Sequence, residues 1–138
     1  MALPEVASKL DEAIGLTLQS ADGGVASLRL EPGEVAIVRE EDVVYLHGGA
    51  LATCIDTAAW YAAESAAPAQ GQDWVVATLH MEGLRLAGDE VHRVTARCLR
   101  AGRTRAVVDV EIAPESDPEQ VLTVGRVSLS RAPEPSGS

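Results

Sequence analysis

The chain contains no phenylalanine, and aromatic residues of all kinds make up 3% of it. A pocket for an apolar ligand would therefore be lined chiefly by aliphatic side chains. Cysteine is equally scarce: Cys54 and Cys98 stand far apart, without CxxC or zinc-type spacing, which excludes a disulfide framework and points to ordinary thiols in a cytoplasmic protein. Basic residues are outnumbered, with Lys+Arg 11 against Asp+Glu 21 and a net charge of -10. Nucleic acid and anionic membrane surfaces, both polyanions read by clustered Lys and Arg, are disfavoured as partners. No stretch of about 18 uninterrupted apolar residues exists to span a bilayer, since Asp56 and Thr57 break the longest candidate. The first residues carry Glu5 and Lys9 and no apolar core, so no secretory signal is expected.

What the chain does have is enough apolar material for one core: 138 residues, 46% of them hydrophobic. A single domain over residues 1–132 with a flexible, solvated tail at 133–138 is expected. Leu3, Val6, Ala7, Leu10 and Ile14 repeat at helical spacing and predict a short amphipathic opening helix, followed by a strand from Ile14 to Gln19. Ala21-Asp22-Gly23-Gly24 is turn chemistry and pairs that strand with Val25–Leu30 in a hairpin. Short strands are expected at Ala36–Val38 and Val43–Leu46. The loop Ala66–Asp73 leads to four β-like stretches: Trp74–Leu86, Glu90–Arg100, Thr104–Ala113 and Val121–Ser130. In the third, Ala106, Val108, Val110 and Ile112 alternate with Asp109 and Glu111, so one sheet face is buried. The connections Ala87-Gly88-Asp89 and Ala101-Gly102-Arg103 are too short for crossover helices, and neighbouring strands are expected to run antiparallel.

Between the strands, His47 to Glu64 is nearly all apolar and reads as one long helix that must be wrapped on several sides. Asp56 interrupts it. A carboxylate in such surroundings loses hydration at a cost of several kcal/mol unless something compensates, so Asp56 is the first candidate for chemistry. His47-Gly48-Gly49 opens the run, where unpaired peptide N–H groups and the positive end of the helix dipole suit a carbonyl oxygen gaining negative charge. His47 and Asp56 would lie about 13 Å apart along a straight helix. Two solutions remain open. Either the glycines form a loop ahead of the helix, or the donor and the carboxylate that meet at one substrate come from two subunits.

The motifs His47-Gly48-Gly49-Ala50, Asp56-Thr57, Gly83-Leu84-Arg85-Leu86-Ala87-Gly88-Asp89 and Arg100-Ala101-Gly102-Arg103 together give the chain a family resemblance. From about Gly33 to Ser130 it resembles the hotdog-fold acyl-CoA thioesterases of the phenylacetic-acid-pathway type, within the 4-hydroxybenzoyl-CoA thioesterase superfamily. The resemblance implies an α+β hotdog fold, an antiparallel sheet of five or six strands wrapped around one long helix. It also implies hydrolysis of an acyl-coenzyme A thioester, no cofactor or metal, and a homo-oligomer, a dimer or dimer of dimers. Gly48 would polarise the thioester carbonyl, flanked by His47 and Gly49, while Asp56 attacks it or activates water from across the dimer interface. Glu41, Thr57, Thr78, Arg85 and Arg103 are the implied substrate-binding positions.

Three departures from the family pattern stand out. Glu41 occupies a place where relatives carry Asn and would put a second carboxylate near Asp56, Leu86 replaces a proline, and Val76 replaces a hydroxyl residue, with Thr78 two positions on expected to point to the same face. These keep a second reading in play, an acyl-CoA-binding or regulatory hotdog protein without turnover; a dehydratase-type lyase lacks its usual sequence signs. Arg85, Arg100, Arg103 and Arg105 fall at strand ends, where their guanidinium forks would suit coenzyme A phosphates or pair with surface carboxylates. Cys54 reads as a buried structural thiol, His80 and His92 as structural, and Trp60 and Tyr61 as helix packing or pocket lining. His47 equally suits a role in holding the turn through backbone hydrogen bonds.

Overall fold

The computed structural model describes residues 3–68 and 72–132; the expected tail at 133–138 and part of the 66–73 loop lie outside them. The glycine pair and the apolar run behave as one unit: helix α2 spans Gly48–Ala66. Its buried face is built largely from Ala58, Ala59, Ala62 and Ala63, small side chains that let a sheet come close. Before it come α1 (Lys9–Ile14), the hairpin β1 (Leu16–Asp22) and β2 (Val25–Leu30), and the short pair β3 (Ile37–Glu40) and β4 (Val43–Leu46). After it come β5 (Trp74–Gly83), β6 (His92–Ala101), β7 (Arg105–Pro114) and β8 (Thr123–Arg131). The main sheet has six antiparallel strands in the order β1-β2-β6-β7-β8-β5, and β3 pairs with β4 in a separate ribbon.

Alternation in β7 does what its pattern requires. Ala106, Val108, Val110 and Ile112 face α2 at 1% exposure or less, together with Leu28, Leu30, Val94, Ala96, Val127 and Leu129. Each large aliphatic side chain so buried is worth about 1.5–3 kcal/mol. On the other face Asp109 takes both Arg126 nitrogens at 2.6 and 2.9 Å across the β7–β8 pair. The β1–β2 turn uses Gly23 (φ 56°) and Gly24 (φ 90°), the left-handed backbone that hairpin turns of this kind need.

At Gly125 of β8 the sheet and α2 leave no room for a side chain. A Cβ there would sit 2.8 and 2.9 Å from the Cγ2 and Cδ1 atoms of Ile55 and 3.2 Å from the His80 carbonyl oxygen. Ile55 is fully buried and has nowhere to swing. Gly125→Ala is expected to lower stability by about 1–3 kcal/mol through overpacking, read from urea unfolding midpoints; an unchanged midpoint would mean that the helix rides higher on the sheet.

Three expectations are corrected. The opening helix is shorter than its apolar repeat, and its inner face is Asp11 and Ile14, while Leu10 is 57% exposed. The first strand starts at Leu16 and reaches Asp22, because Gly15 (φ 91°) caps α1 first. Most important, β5 and β6 are not neighbours: the connection at 84–91 carries the chain from one sheet edge to the third position, and β5 pairs only with β8. That connection stays ordered without a proline at Leu86. The N–H groups of Leu84 and Arg85 both donate to Leu122 O, and Leu46 N–H donates to the Ala87 carbonyl.

Candidate active site

The glycines do not form a loop ahead of the helix. His47 is the N-cap of α2, and its Nδ1 accepts the Gly49 N–H at 2.9 Å, while its carbonyl accepts from Ala50 and Leu51. Both β4, through Leu46, and the Ala36 carbonyl, which takes the His47 N–H at 2.8 Å, hold this entry in place. Within the first turn only the Gly48 N–H is left without an acceptor among the described residues. It is exposed, with open space where a side chain would stand. His47 and Gly49 thus build the turn, and Gly48 carries the available donor.

Asp56 sits eight residues further along, on a face of α2 that the chain's own sheet leaves open. It borders a cavity of about 300 Å³ with Ala7, Thr57, Trp60, Trp74 and Val76 among its walls. Those apolar walls push the Asp56 carboxyl above its usual range, and the negative charge of Asp11 adds to the effect. The buried carboxylate beside Asp56 is therefore Asp11 of α1, 3% exposed, whose Oδ1 accepts the Thr57 hydroxyl at 2.6 Å. Sequence reading missed Asp11, although its spacing from Ala7 and Ile14 places it on their face of the helix.

Cys54, two residues before Asp56 and fully buried on the inner side of α2, has its thiol pushed up to about 12 by burial first and the charge of Asp11 second. It stays protonated at neutral pH and cannot serve as a nucleophile. Tyr61 is likewise raised to about 12, and its hydroxyl donates to the Pro4 carbonyl. Trp60 Nε1 donates to Asp73 at 2.8 Å, and Trp74, its ring capped by the Arg131 guanidinium 3.6 Å away, donates to Ala67 O. Both tryptophans are therefore fixed walls of the cavity, which corrects the expectation of a chiefly aliphatic lining: two of the chain's few aromatic residues stand here.

The other candidates are dispersed. Glu41 is at the exposed tip between β3 and β4, at φ 35°, in a depression with Glu40 and Asp42 that shares no residue with the Asp56 cavity. Thr57 is turned to Asp11. Thr78 does not share a face with Val76: the β5–β8 register slips between them, so Val76 lies opposite Leu129 and Thr78 opposite Ser128. A bulge at Ala77 undoes the period-2 inference. The arginines also separate. Arg100, Arg103 and Arg105 gather at the β6–β7 turn near the C-terminal end of α2, where Arg103 and Arg131 border a second cavity of about 310 Å³ with Ala67. Arg85, beyond the far end of β5, lies by Leu122 and the N-terminal end of α2. His92 is buried, its Nε2 2.8 Å from Gly88 O, whereas His80 is exposed on β5. Among the described residues no three His, Cys, Asp or Glu side chains converge as metal ligands, and no helix is long and apolar enough to cross a membrane.

A helix whose capped, glycine-opened end offers a free N–H and whose middle presents a carboxylate, wrapped by this six-stranded sheet, is a recognisable arrangement. Residues 44–121, more than half of the chain, match the model of the thioesterase superfamily. The chain belongs to the thioesterase superfamily. Among solved structures, this thioesterase-superfamily protein is similar to the conserved protein PA5202 from Pseudomonas aeruginosa. That pair shares 26% identity, with 93% of this chain and 97% of the other covered and a TM-score of 0.80. It is also similar to the E. coli PaaI protein from the phenylacetic acid degradation operon, at 23% identity, 92% and 86% coverage and TM-score 0.77. A third likeness is to smu.793 from Streptococcus mutans bound to acetyl CoA, at 20% identity, 86% and 90% coverage and TM-score 0.71. These place the superfamily member in the hotdog fold. No curated protein matches the chain.

Proposed function

We propose that this protein hydrolyses the thioester of an acyl-coenzyme A at a site completed by two copies of the chain. The observation that carries the reading is the placement of the two reactive groups along one helix: the Gly48 N–H and Asp56 are about 12 Å apart at 1.5 Å rise per residue. One carbonyl cannot touch both, but two copies related by a two-fold axis can each bring the group the other lacks. Asp56 faces outward next to β5, a ten-residue edge strand whose free side carries exposed Val75 and Val76. A long apolar edge of this kind is a ready surface for a second copy.

In that arrangement Asp56 removes a proton from a water molecule, and the hydroxide adds to the thioester carbonyl. The Gly48 N–H of the other copy holds the resulting oxyanion. Collapse breaks the C–S bond, and the leaving thiolate takes the proton from Asp56, which regenerates the carboxylate and releases a free acid and coenzyme A thiol. A carboxyl raised above its ordinary range is a stronger base than a free aspartate, which suits this role. Arg103, with Arg100 and Arg105 nearby, supplies guanidinium forks for the phosphates in an otherwise acidic protein. Arg85, located at the N-terminal end of α2, and Glu41, on the ribbon leading into that helix, would reach the same substrate only from the copy that contributes Gly48.

The reading is tested by thiol release, followed with a thiol-reactive dye over short, long and aromatic acyl-CoAs, together with size-exclusion chromatography. Turnover of at least one acyl-CoA by a dimer or larger assembly is expected. Glu41 and Val76 depart from the hydrolytic pattern and favour the second reading, acyl-CoA binding without turnover; calorimetric binding with no thiol release would establish that instead. Val75→Lys puts a charge on the free edge, and it is expected to yield monomers with at least about tenfold lower activity. A fully active monomer would rule out the shared site.

A further inference from the structure

Asp11 is buried and unpaired with any cation among the described residues, which is unusual for a carboxylate. Its partners are two hydroxyls: Ser8 Oγ donates to Oδ2 at 2.6 Å, and Thr57 Oγ1 donates to Oδ1 at 2.6 Å. Capping of α1 does not require the carboxylate, because Ser8 Oγ already accepts the Asp11 N–H at 3.2 Å. What the side chain adds is a bridge from α1 to α2, ending on the residue next to Asp56. Ala7, just ahead of the Ser8 N-cap of α1, borders the Asp56 cavity.

We propose that Asp11 is a positioning residue for Asp56: it ties the N-terminal segment to Thr57 as one wall of the catalytic cavity and confronts Asp56 with a fixed second carboxylate. The proposal rests on the catalytic reading of Asp56 given above. Among the described residues, Asp11 is the charge that acts on Asp56. Cys54 and Tyr61 of α2, both neutral near pH 7, feel the charge of Asp11 rather than lining the Asp56 cavity, Glu5 acts on Tyr61, Asp73 accepts the Trp60 Nε1–H at the cavity rim, and β5 and β8 contribute Trp74, Val75, Val76 and Leu129 to the cavity. Protonation of Asp56 is favoured by burial and by the charge of Asp11. Removing that charge while keeping the bulk should therefore let Asp56 ionise at lower pH.

The test is a pair of titrations on wild type and Asp11→Asn: the pH dependence of kcat/KM for an acyl-CoA, and the side-chain carboxyl carbon of Asp56 followed by NMR. In Asp11→Asn the acid limb of kcat/KM and the Asp56 carboxyl curve are both expected to move to lower pH, and Asp11→Glu to restore the wild-type position. Curves that overlay the wild type in a folded Asp11→Asn protein would overturn the proposal. Should Asp11→Asn fail to fold, the wild-type NMR titration decides. An Asp56 midpoint above the ordinary aspartate range supports the proposal; an undisturbed aspartate curve overturns it. The NMR readout needs no turnover, so an inactive protein, or an Asp56→Asn variant as active as wild type, would count against the catalytic reading alone.

Discussion

Asp56→Asn is expected to lower thiol release from acyl-CoA by at least about 100-fold, the usual scale for removing a positioned general base, with the fold intact. The substitution keeps the shape of the side chain and deletes its basicity. Stability should move the other way. The folded-state carboxyl titrates above its ordinary value, so the native state prefers protonated Asp56. That preference supports the fold fully below the unfolded value and is drained as pH rises through the folded one. At neutral pH the ionised carboxylate is thus a burden on the fold. The melting temperature of Asp56→Asn at pH 7 is expected to equal or exceed that of wild type, with the difference closing in acid. Activity and stability changing in opposite directions mark a residue retained for chemistry. An Asp56→Asn protein with wild-type turnover would remove the mechanism, and one with a lower melting temperature would make Asp56 a structural residue.

Gly48→Pro should cost as much through a different atom. Proline deletes the one first-turn N–H that lacks an acceptor among the described residues, yet the site accepts its ring. Gly48 is the first residue of α2, where proline's fixed φ is compatible with a helix. His47 ahead of it has φ -59° and ψ 134°, the extended conformation that a following proline demands. Nothing lies within 4 Å of an added Cβ. The expected loss in kcat is about 10²–10³-fold, as for removal of a single oxyanion donor, with circular dichroism and melting temperature near wild type. Gly48→Ala, which retains the N–H in the same open space, is expected to stay within a few-fold of wild type. Equal activity in Gly48→Pro would show that this amide holds no oxyanion.

Mixing the two inactive variants separates a shared site from one contained in a single chain. A heterodimer of Asp56→Asn with Gly48→Pro carries one site with both defects and one with neither. Random reassortment after mild denaturation should recover up to about one quarter of wild-type activity. No recovery from folded, reassorted subunits would place both groups at a site within one chain.

Local features of the sequence were sufficient for the long helix, for most strands and for the central carboxylate, while the opening helix and the start of the first strand were displaced by the Gly15 cap. Period-2 alternation in Ala106–Ile112 and the unbroken apolar run after Gly48 report which faces are buried, because burial acts on each side chain through the face it occupies. The same run isolates Asp56, since an ionisable group there stands out against its neighbours. What needed the tertiary structure were relations between segments far apart in the chain. The short loops suggested adjacent hairpins, but β5 pairs with β8 and leaves its other side as a free edge; strand order depends on which apolar faces cover α2, and loop length does not encode that. A one-residue slip in the β5–β8 ladder turned Thr78 away from the face of Val76, and bulges arise from pairing. Glu41 was expected to be the second carboxylate near Asp56, and packing of α1 against α2 installed Asp11 instead. The sequence by itself determined the helix, the strands and the candidate carboxylate, because these follow from periodicity and hydration; only the fold decided their neighbours, because contacts between distant segments are set by how the whole apolar surface is covered.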